Sequence, residues 1–406
     1  MAALPKRETI GASALDGGET PSVAGAGALW VARLSLSAFR CYDSATLTCD
    51  GRPLVLTGPN GAGKTNLLEA ISFLAPGRGL RSARLSEVDR RETAGAEAPA
   101  PWAVAAELET PQGLRQVGTG RDATAGPREK RVMKLDGEYV GSQQSLSELL
   151  SVLWLTPAMD RLFLEGPGER RRFLDRLVFG ADPAHAGRLT AYENALRERS
   201  RILRGDAGRP DPAWLSALEE TLAGQGVAIA AARCAMTERL ASACAAAEGA
   251  FPRAGLAVAG ELEAGLGASK ALEVEDRFRE RLAASRERDA ETGGAAHGPH
   301  RSDLRVTHLE RKREAEFCST GEQKALLISI VLAHARLITA ERAQRPLLLL
   351  DEVAAHLDAK RRAALYDELT ALGAQTWLTG TDSALFEPLG DKAQHFRVED
   401  ARITPA

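Results

Sequence analysis

A short apolar run at Leu54 to Leu56 leads into a glycine-rich loop that matches the pattern G-x-x-x-x-G-K-[ST] at every fixed position. Glycines let the backbone curl so that several N–H groups point at one phosphate chain, and the following helix start adds the positive end of its dipole. Lys64 would reach the β and γ phosphates, and the Thr65 hydroxyl would ligate Mg²⁺. The sequence therefore predicts an ATP site built from Gly58, Pro59, Asn60, Gly61, Ala62, Gly63, Lys64, Thr65 and Asn66.

A second stretch supplies carboxylates. The four leucines from Leu347 to Leu350 are followed directly by Asp351 and Glu352. A wholly apolar strand is typical of a parallel sheet that is covered on both faces, and acids at its carboxyl end lie where ligands bind. Asp351 would hold Mg²⁺ through water, and Glu352 would orient or deprotonate the attacking water as the catalytic residue. The next predicted strand ends near Thr379 and Thr381, either of which could sense the γ-phosphate.

A third segment opens a long apolar helix that runs into the acidic strand, and it consists of Ser319, Thr320, Gly321, Glu322 and Gln323. Ser and Glu at this spacing form a capping box, which by itself explains those two residues. Capping does not explain the placement of the glycine and the glutamine. The segment is similar to the ABC-ATPase signature S-x-G-[EQ]-Q, whose helix N terminus and serine hydroxyl bind the γ-phosphate held by the opposite subunit.

The order of these motifs along the chain predicts the fold class. Asp358 follows the acidic strand in a segment that resembles the D-loop of an ABC dimer interface, so two ATP molecules would be sandwiched in a homodimer. Lys64 and Asp351 lie nearly the whole chain apart, whereas a compact P-loop kinase keeps these elements closer. We therefore predict an α/β fold, an ABC/SMC-like P-loop ATPase domain that is split in sequence by an inserted, mainly helical lobe.

The composition and periodicity of the chain suggest where these parts begin and end. Residues 1–28 are rich in Gly, Ala, Ser and Pro without periodicity, which predicts a disordered tail. We expect the first half of the ATPase domain, with the P-loop, at 29–159 and the helical lobe at 160–294. The second half, with the signature, the acidic strand and the D-loop, is expected at 295–406.

Charge and cysteine usage limit the partners and the compartment. The chain has 52 basic and 55 acidic side chains and a formal net charge of −3, so any nucleic-acid contact must come from a local basic patch. The candidates are Arg170, Arg171 and Arg172, and then Arg311 to Arg313; a solvated helix face with i,i+4 ion pairs is the alternative. The five cysteines are scattered, which is typical of a reducing cytosol, and no apolar run approaches the ~18 residues of a membrane span. We therefore expect a cytoplasmic protein without a membrane partner.

With these motifs in place, nearly everything from about Leu29 onward resembles the RecF family of SMC-like ABC-class ATPases. The more specific blocks are Phe39-Arg40-x-Tyr42, the stretch from Thr156 to Asp175, Gly298-Pro299-His300-Arg301-x-Asp303-Leu304, and Ser319 to Lys324. The resemblance implies a weak ATPase that dimerises on ATP and binds double-stranded or gapped DNA. It also implies work with RecO and RecR to load RecA at single-strand gaps, in DNA replication, recombination and the SOS response.

Two positions leave alternatives open. Arg40 lies either in a turn with an aromatic plug or beside the adenine or phosphates of ATP. In SMC-like relatives a glutamine near Pro157 contacts Mg²⁺, and here Asp160 either replaces it or caps a helix.

Two other classes of protein also carry such motifs. A transporter nucleotide-binding subunit would be compact, without the insertion, and a structural SMC-like protein would need sustained heptads.

Overall fold

The computed structural model describes residues 27–90, 100–122, 130–141, 144–205 and 211–406. Nearly all of the predicted disordered tail lies outside these residues. The strands are β1 Trp30–Phe39, β2 Tyr42–Thr48, β3 Leu54–Thr57, β4 Ala103–Thr110, β5 Gly113–Arg121, β6 Arg131–Leu135, β7 Glu138–Tyr139, β8 Val152–Leu155, β9 Ala254–Ala259, β10 Asp303–His308, β11 Arg313–Glu314, β12 Leu347–Leu350, β13 Thr376–Gly380, β14 Gln394–Glu399 and β15 Arg402–Pro405. The α-helices are α1 Lys64–Ser72, α2 Gln144–Leu149, α3 Pro167–Ala181, α4 His185–Leu203, α5 Pro212–Ala245, α6 Glu261–Ala268, α7 Ala271–Ala284, α8 Arg286–Thr292, α9 Thr320–Arg342 and α10 Ala359–Leu372.

The central sheet has the strand order β15-β14-β3-β13-β12-β8 and is parallel from β14 to β8. Successive residues of its strands point to opposite faces. Leu54 and Leu349 pack with α1 on one face, whereas Val55 and Leu350 pack with α3 and α9 on the other. Both faces are therefore covered, which is why the central strands are apolar throughout.

The first half of the chain also forms a separate antiparallel sheet, in the order β2-β1-β4-β5-β6-β7. The buried side of this sheet shares one core with α1 and includes Val31, Phe39 and Trp102. The predicted pair of strands before the P-loop and the hairpin at Asp136-Gly137 both belong to it. The sheet fixes the outer side of α1 and thereby the loop that precedes α1.

The inserted segment is mainly helical, with its own core between α4, α5, α6 and α7 that includes Tyr192, Val227 and Phe278. Helix α3 falls in the predicted lobe range but packs in the core of the central sheet. Strand β9, within the inserted segment, was not predicted: it pairs with β10 in a three-stranded sheet β11-β10-β9. The lobe is thus joined directly to the strand that leads to the predicted signature.

Helix α9 is the one helix among the described residues that is long and apolar enough to cross a membrane. Its most apolar window is 78% buried in the fold. It packs between α3, α5 and the central sheet, as a core helix does.

Candidate nucleotide site

The P-loop connects β3 to α1, and its backbone conformation requires glycine. Gly58 has φ 147° and Gly63 has φ 116°, in the region that L side chains avoid. A Cβ on Gly58 would lie 2.0 Å from the Val398 carbonyl oxygen, and one on Gly63 would lie 2.6 Å from the Tyr42 hydroxyl. Residues of β14 and β2 therefore pack against the loop at these two positions, where only glycine, without a Cβ, fits.

Lys64 begins α1 and is 5% exposed. Its Nζ donates hydrogen bonds to the carbonyl oxygens of Gly58, at 2.7 Å, and Pro59, at 2.9 Å. Burial lowers the pKa of Lys64, and the nearby carboxylates of Glu352 and Asp351 act in the opposite direction. The ammonium group is thus held across the opening of the loop by the loop's own carbonyl oxygens.

The end of β12 meets the start of α1. The Thr65 hydroxyl lies 2.9 and 3.1 Å from the two Asp351 carboxylate oxygens. Asp351 is 5% exposed, and its N–H is held by the Leu155 carbonyl oxygen of β8. The fold therefore brings Asp351 to the neighbouring residues Lys64 and Thr65, which precede it by more than 280 positions in the chain.

Thr379 of β13 is a positioning residue that the sequence did not reveal as such. Its hydroxyl donates to Asp351 Oδ1, at 2.8 Å, and accepts from the Glu352 N–H, at 2.9 Å. At 1% exposed it lies behind the acidic pair, whereas Thr381 is exposed, so sensing of the γ-phosphate by one of these two threonines stays a prediction. Glu352 has φ 53°, a conformation that costs about 1 kcal/mol or more for a non-glycine residue and that Thr379 helps to fix.

Arg40 lies beside the P-loop, in a cleft of about 530 Å³ that Asn66 and Cys41 also line. Its guanidinium group is paired with both carboxylate oxygens of Glu69, at 2.6 and 2.8 Å. Arg81 also contacts Glu69, which is fully buried on α1. Arg40 therefore fixes α1 through Glu69, and its contact with ATP stays a prediction.

The signature segment begins α9 as predicted by its capping pattern. The Ser319 hydroxyl accepts from the Glu322 N–H, and the Glu322 carboxylate accepts from the Ser319 N–H, at 2.9 Å. Ser319, Thr320 and Gly321 are exposed. Helix α9 has 23 residues and is about 34 Å long, far longer than the four-residue strand β12, so its first turn extends beyond the carboxyl end of the sheet.

Two further predicted residues have contacts of their own. Asp160 lies in the 3-10 turn Pro157–Arg161 and pairs with Lys324 of α9, at 3.2 Å. Its predicted approach to Mg²⁺ stays open. Asp358 caps α10 by accepting from the Arg361 N–H, at 2.8 Å, so its place at a dimer interface is also still a prediction.

The arginines of α3 are not alike. Arg170 pairs with Asp303 through two bonds of 2.7 and 2.9 Å, and Arg171 donates to the Ser302 carbonyl oxygen, at 2.7 Å. Arg172, whose side chain is 66% exposed, pairs with Glu169 one turn away. DNA contact by these three arginines remains a prediction. The Arg170 side chain already connects α3 to β10 through its bonds with Asp303.

This difference predicts unequal costs of alanine substitution. Arg170→Ala leaves the largely buried Asp303 carboxylate with only its longer contact to Arg305, at 3.5 Å, and we expect the free energy of unfolding to fall by about 2–3 kcal/mol. Arg172→Ala, on the same helix, removes an exposed pair worth roughly 0.5 kcal/mol or less. Denaturant titration of both variants measures the contrast. Equal losses would mean that the Arg170–Asp303 pair does not join these elements.

Comparison with known proteins places this geometry in a family. Residues 30–403 match the RecF/RecN/SMC N terminal domain family. Over 383 residues the chain is 47% identical to the DNA replication and repair protein RecF of Rhizobium meliloti strain 1021, which covers 93% of this chain and 99% of that protein. The chain belongs to the RecF family. It is also 50% identical over 383 residues to the RecF of Caulobacter sp. strain K31, with 91% of this chain and 97% of that protein covered.

Solved structures agree on the fold. The recombination mediator protein RecF of the RecFOR pathway, solved with ATPrS, superimposes with a TM-score of 0.78 at 21% identity, over 94% of this chain and 99% of that one. An Smc head domain derived from Pyrococcus furiosus reaches a TM-score of 0.51 at 14% identity, over 93% of this chain and 96% of that one. The predicted α/β fold of the ABC/SMC-like class, with its helical insertion, is therefore confirmed. RecF membership also removes the transporter subunit as an alternative.

Proposed function

We propose that this protein is an ATP-dependent DNA-binding protein of replication and recombinational repair, in which ATP binding drives homodimerisation. The observation that carries the proposal is the meeting of Lys64, Thr65 and Asp351 at the carboxyl end of the central sheet. An exposed signature serine on α9 complements it. Solved RecF proteins in complex with ATP and with ATPrS support the choice of nucleotide.

The side chains in and beside the P-loop have the chemistry that binding of ATP and Mg²⁺ requires. The Thr65 hydroxyl and the Asp351 carboxylate, already 2.9 Å apart, are the hard oxygen donors that Mg²⁺ prefers. A bound Mg²⁺ ion would neutralise phosphate charge. Lys64 would exchange the Gly58 and Pro59 carbonyl oxygens for phosphate oxygens, which form stronger, charge-assisted hydrogen bonds.

Glu352 would act on the attacking water. Its backbone N–H donates a hydrogen bond to the Thr379 hydroxyl, at 2.9 Å, which holds the residue at the end of β12. A carboxylate in this position can orient a water molecule and accept its proton. We expect slow hydrolysis that resets a switch, because both the water and the signature of a second protomer must be in place.

Nucleic-acid contact would come from local basic residues, because the whole chain is slightly acidic. Phosphate contacts would provide binding to double-stranded or gapped DNA with little sequence preference and a strong salt dependence. The membership of solved relatives in the RecFOR pathway supports RecO and RecR as partners in loading RecA. Such a role is cytoplasmic.

The solution mass of the protein tests the proposal. We expect the mass to double with ATP and Mg²⁺, and the dimer to be strengthened by duplex DNA. Glu352→Gln should raise the dimer fraction and prolong its lifetime at least tenfold, because ATP binds but the step that dissociates the dimer is slowed. Light scattering after size exclusion measures both proteins side by side. A mass that does not respond to ATP in either protein would contradict the switch.

A further inference from the structure

The hairpin that precedes the signature carries the basic triplet Arg311, Lys312 and Arg313. Strands β10 and β11 pair antiparallel, with His308 opposite Arg313, so the triplet lies at the tip and the start of the returning strand. Lys312 takes φ 50° and donates its N–H to the Leu309 carbonyl oxygen, which closes the turn. The turn directs the Arg311 side chain to the first turn of α9.

Arg311 contacts the signature directly. Its guanidinium group lies 2.7 Å from Glu322 Oε1, and the two side chains are 59% and 15% exposed. The other carboxylate oxygen of Glu322 accepts from the Ser319 N–H, at 2.9 Å. One carboxylate thus joins a hairpin arginine to the serine at the helix N terminus.

The charge of Glu322 matters for what Ser319 can bind. The hydrogen bond from the Ser319 backbone, with smaller contributions from the Ser319 side chain and Arg311, lowers the pKa of Glu322, so this carboxylate is ionised at neutral pH. A γ-phosphate that reaches the exposed start of α9 would approach a negative charge within one helical turn. An unpaired carboxylate there would repel it.

We infer that Arg311 is a positioning residue of the signature: it offsets the Glu322 charge and holds the capping box so that the Ser319 hydroxyl can donate a hydrogen bond to the γ-phosphate held by a second copy. The inference rests on the proposed function, since it assumes that ATP is sandwiched between protomers. The β10–β11 hairpin would then take part in dimerisation, whereas its basic sequence alone suggests contact with DNA.

The test compares ATP-dependent dimerisation of four variants by light scattering, at constant protein and increasing ATP. Arg311→Ala should need about tenfold more ATP for half-dimerisation, the effect of one uncompensated charge near the phosphate. Arg313→Ala removes the same charge from the same hairpin but leaves the Glu322 pair intact, and it should behave as the wild type. Glu322→Gln keeps an acceptor for the Ser319 N–H but removes the charge that Arg311 offsets, and it serves as the reference against which the double variant is measured.

The double variant Arg311→Ala/Glu322→Gln decides the mechanism. It should need within about threefold of the ATP that Glu322→Gln alone needs, since no carboxylate remains for Arg311 to offset. ATP affinity of the monomer, measured at low protein concentration, should be unchanged throughout. A double variant as weak as Arg311→Ala would overturn the inference, as would an Arg311→Ala protein that equals the wild type. In both cases a dimerising wild type leaves the proposed function standing, whereas a wild type that stays monomeric with ATP overturns both.

Discussion

Lys64→Ala is expected to lower ATP affinity by about 100-fold or more, because it removes charge-assisted hydrogen bonds to phosphate that are worth roughly 1.5–3 kcal/mol each. The P-loop should keep its shape, since Val398 and Tyr42 still pack against Gly58 and Gly63 when the hydrogen bond from Lys64 to Gly58 is lost. Dimerisation should be lost with ATP binding. Titration with a fluorescent ATP analogue and the solution mass measure the two effects.

The matched control for this variant is Lys392→Ala, which removes an exposed lysine outside the loop. Both variants should unfold at similar denaturant concentrations. If Lys64→Ala bound ATP as tightly as the control, the contacts of Nζ with the Gly58 and Pro59 carbonyl oxygens would be a permanent structural feature. The lysine would then have no part in phosphate binding.

Ser319→Arg is expected to leave ATP binding to the monomer within about twofold of the wild type and to abolish ATP-dependent dimerisation. Thr65 and Lys64 of the P-loop form hydrogen bonds with Asp351 and with a carbonyl oxygen of the loop. Ser319 forms its hydrogen bonds with Glu322, so the substitution does not disturb the P-loop. A bulky side chain at the exposed helix start would displace the serine that binds the γ-phosphate held by a second protomer, and the P-loop would be untouched. ATP titration at low protein concentration and the solution mass at high concentration separate the two effects.

A mixing experiment shows whether the serine acts in trans. Lys64→Ala supplies an intact signature, and Ser319→Arg supplies an intact P-loop. Each protein alone should be monomeric with ATP, whereas an equimolar mixture should contain heterodimers with one complete site. Ser319→Arg that dimerises by itself would contradict the sandwich, and a mixture that stays monomeric would remove the support for action in trans.

Two parts of the candidate site, the P-loop and the start of the signature helix, could be predicted from short patterns in the sequence. Gly58 to Thr65 could be assigned from sequence, because the phosphate-binding conformation needs glycine and lysine at fixed short spacings. The capping box at Ser319 was predictable for the same reason, since its two hydrogen bonds span three residues. Strand β9 was missed because its six residues, AGLAVA, are mostly small and carry little strand signal.

Contacts between distant residues of common types could not be predicted. Glu69 is an ordinary helix residue in the sequence, yet the fold buries it between Arg40 and Arg81. Arg170 belongs to a basic run, and only its pairing with Asp303, 133 residues later, separates it from Arg172. The pairing of Arg311 with Glu322 is of the same kind.

The sequence by itself determined the chemistry of this protein: a phosphate-binding loop, a pair of carboxylates after a buried strand, and a serine at a helix start. These features depend on residues that are close together in the sequence, so they can be recognised without knowledge of the tertiary structure. The tertiary structure alone decided which side chains meet. Because β3, β13 and β12 are neighbours in the sheet, Thr65, Thr379 and Asp351 converge from positions up to 314 residues apart, and Thr379 lies behind the site rather than in it.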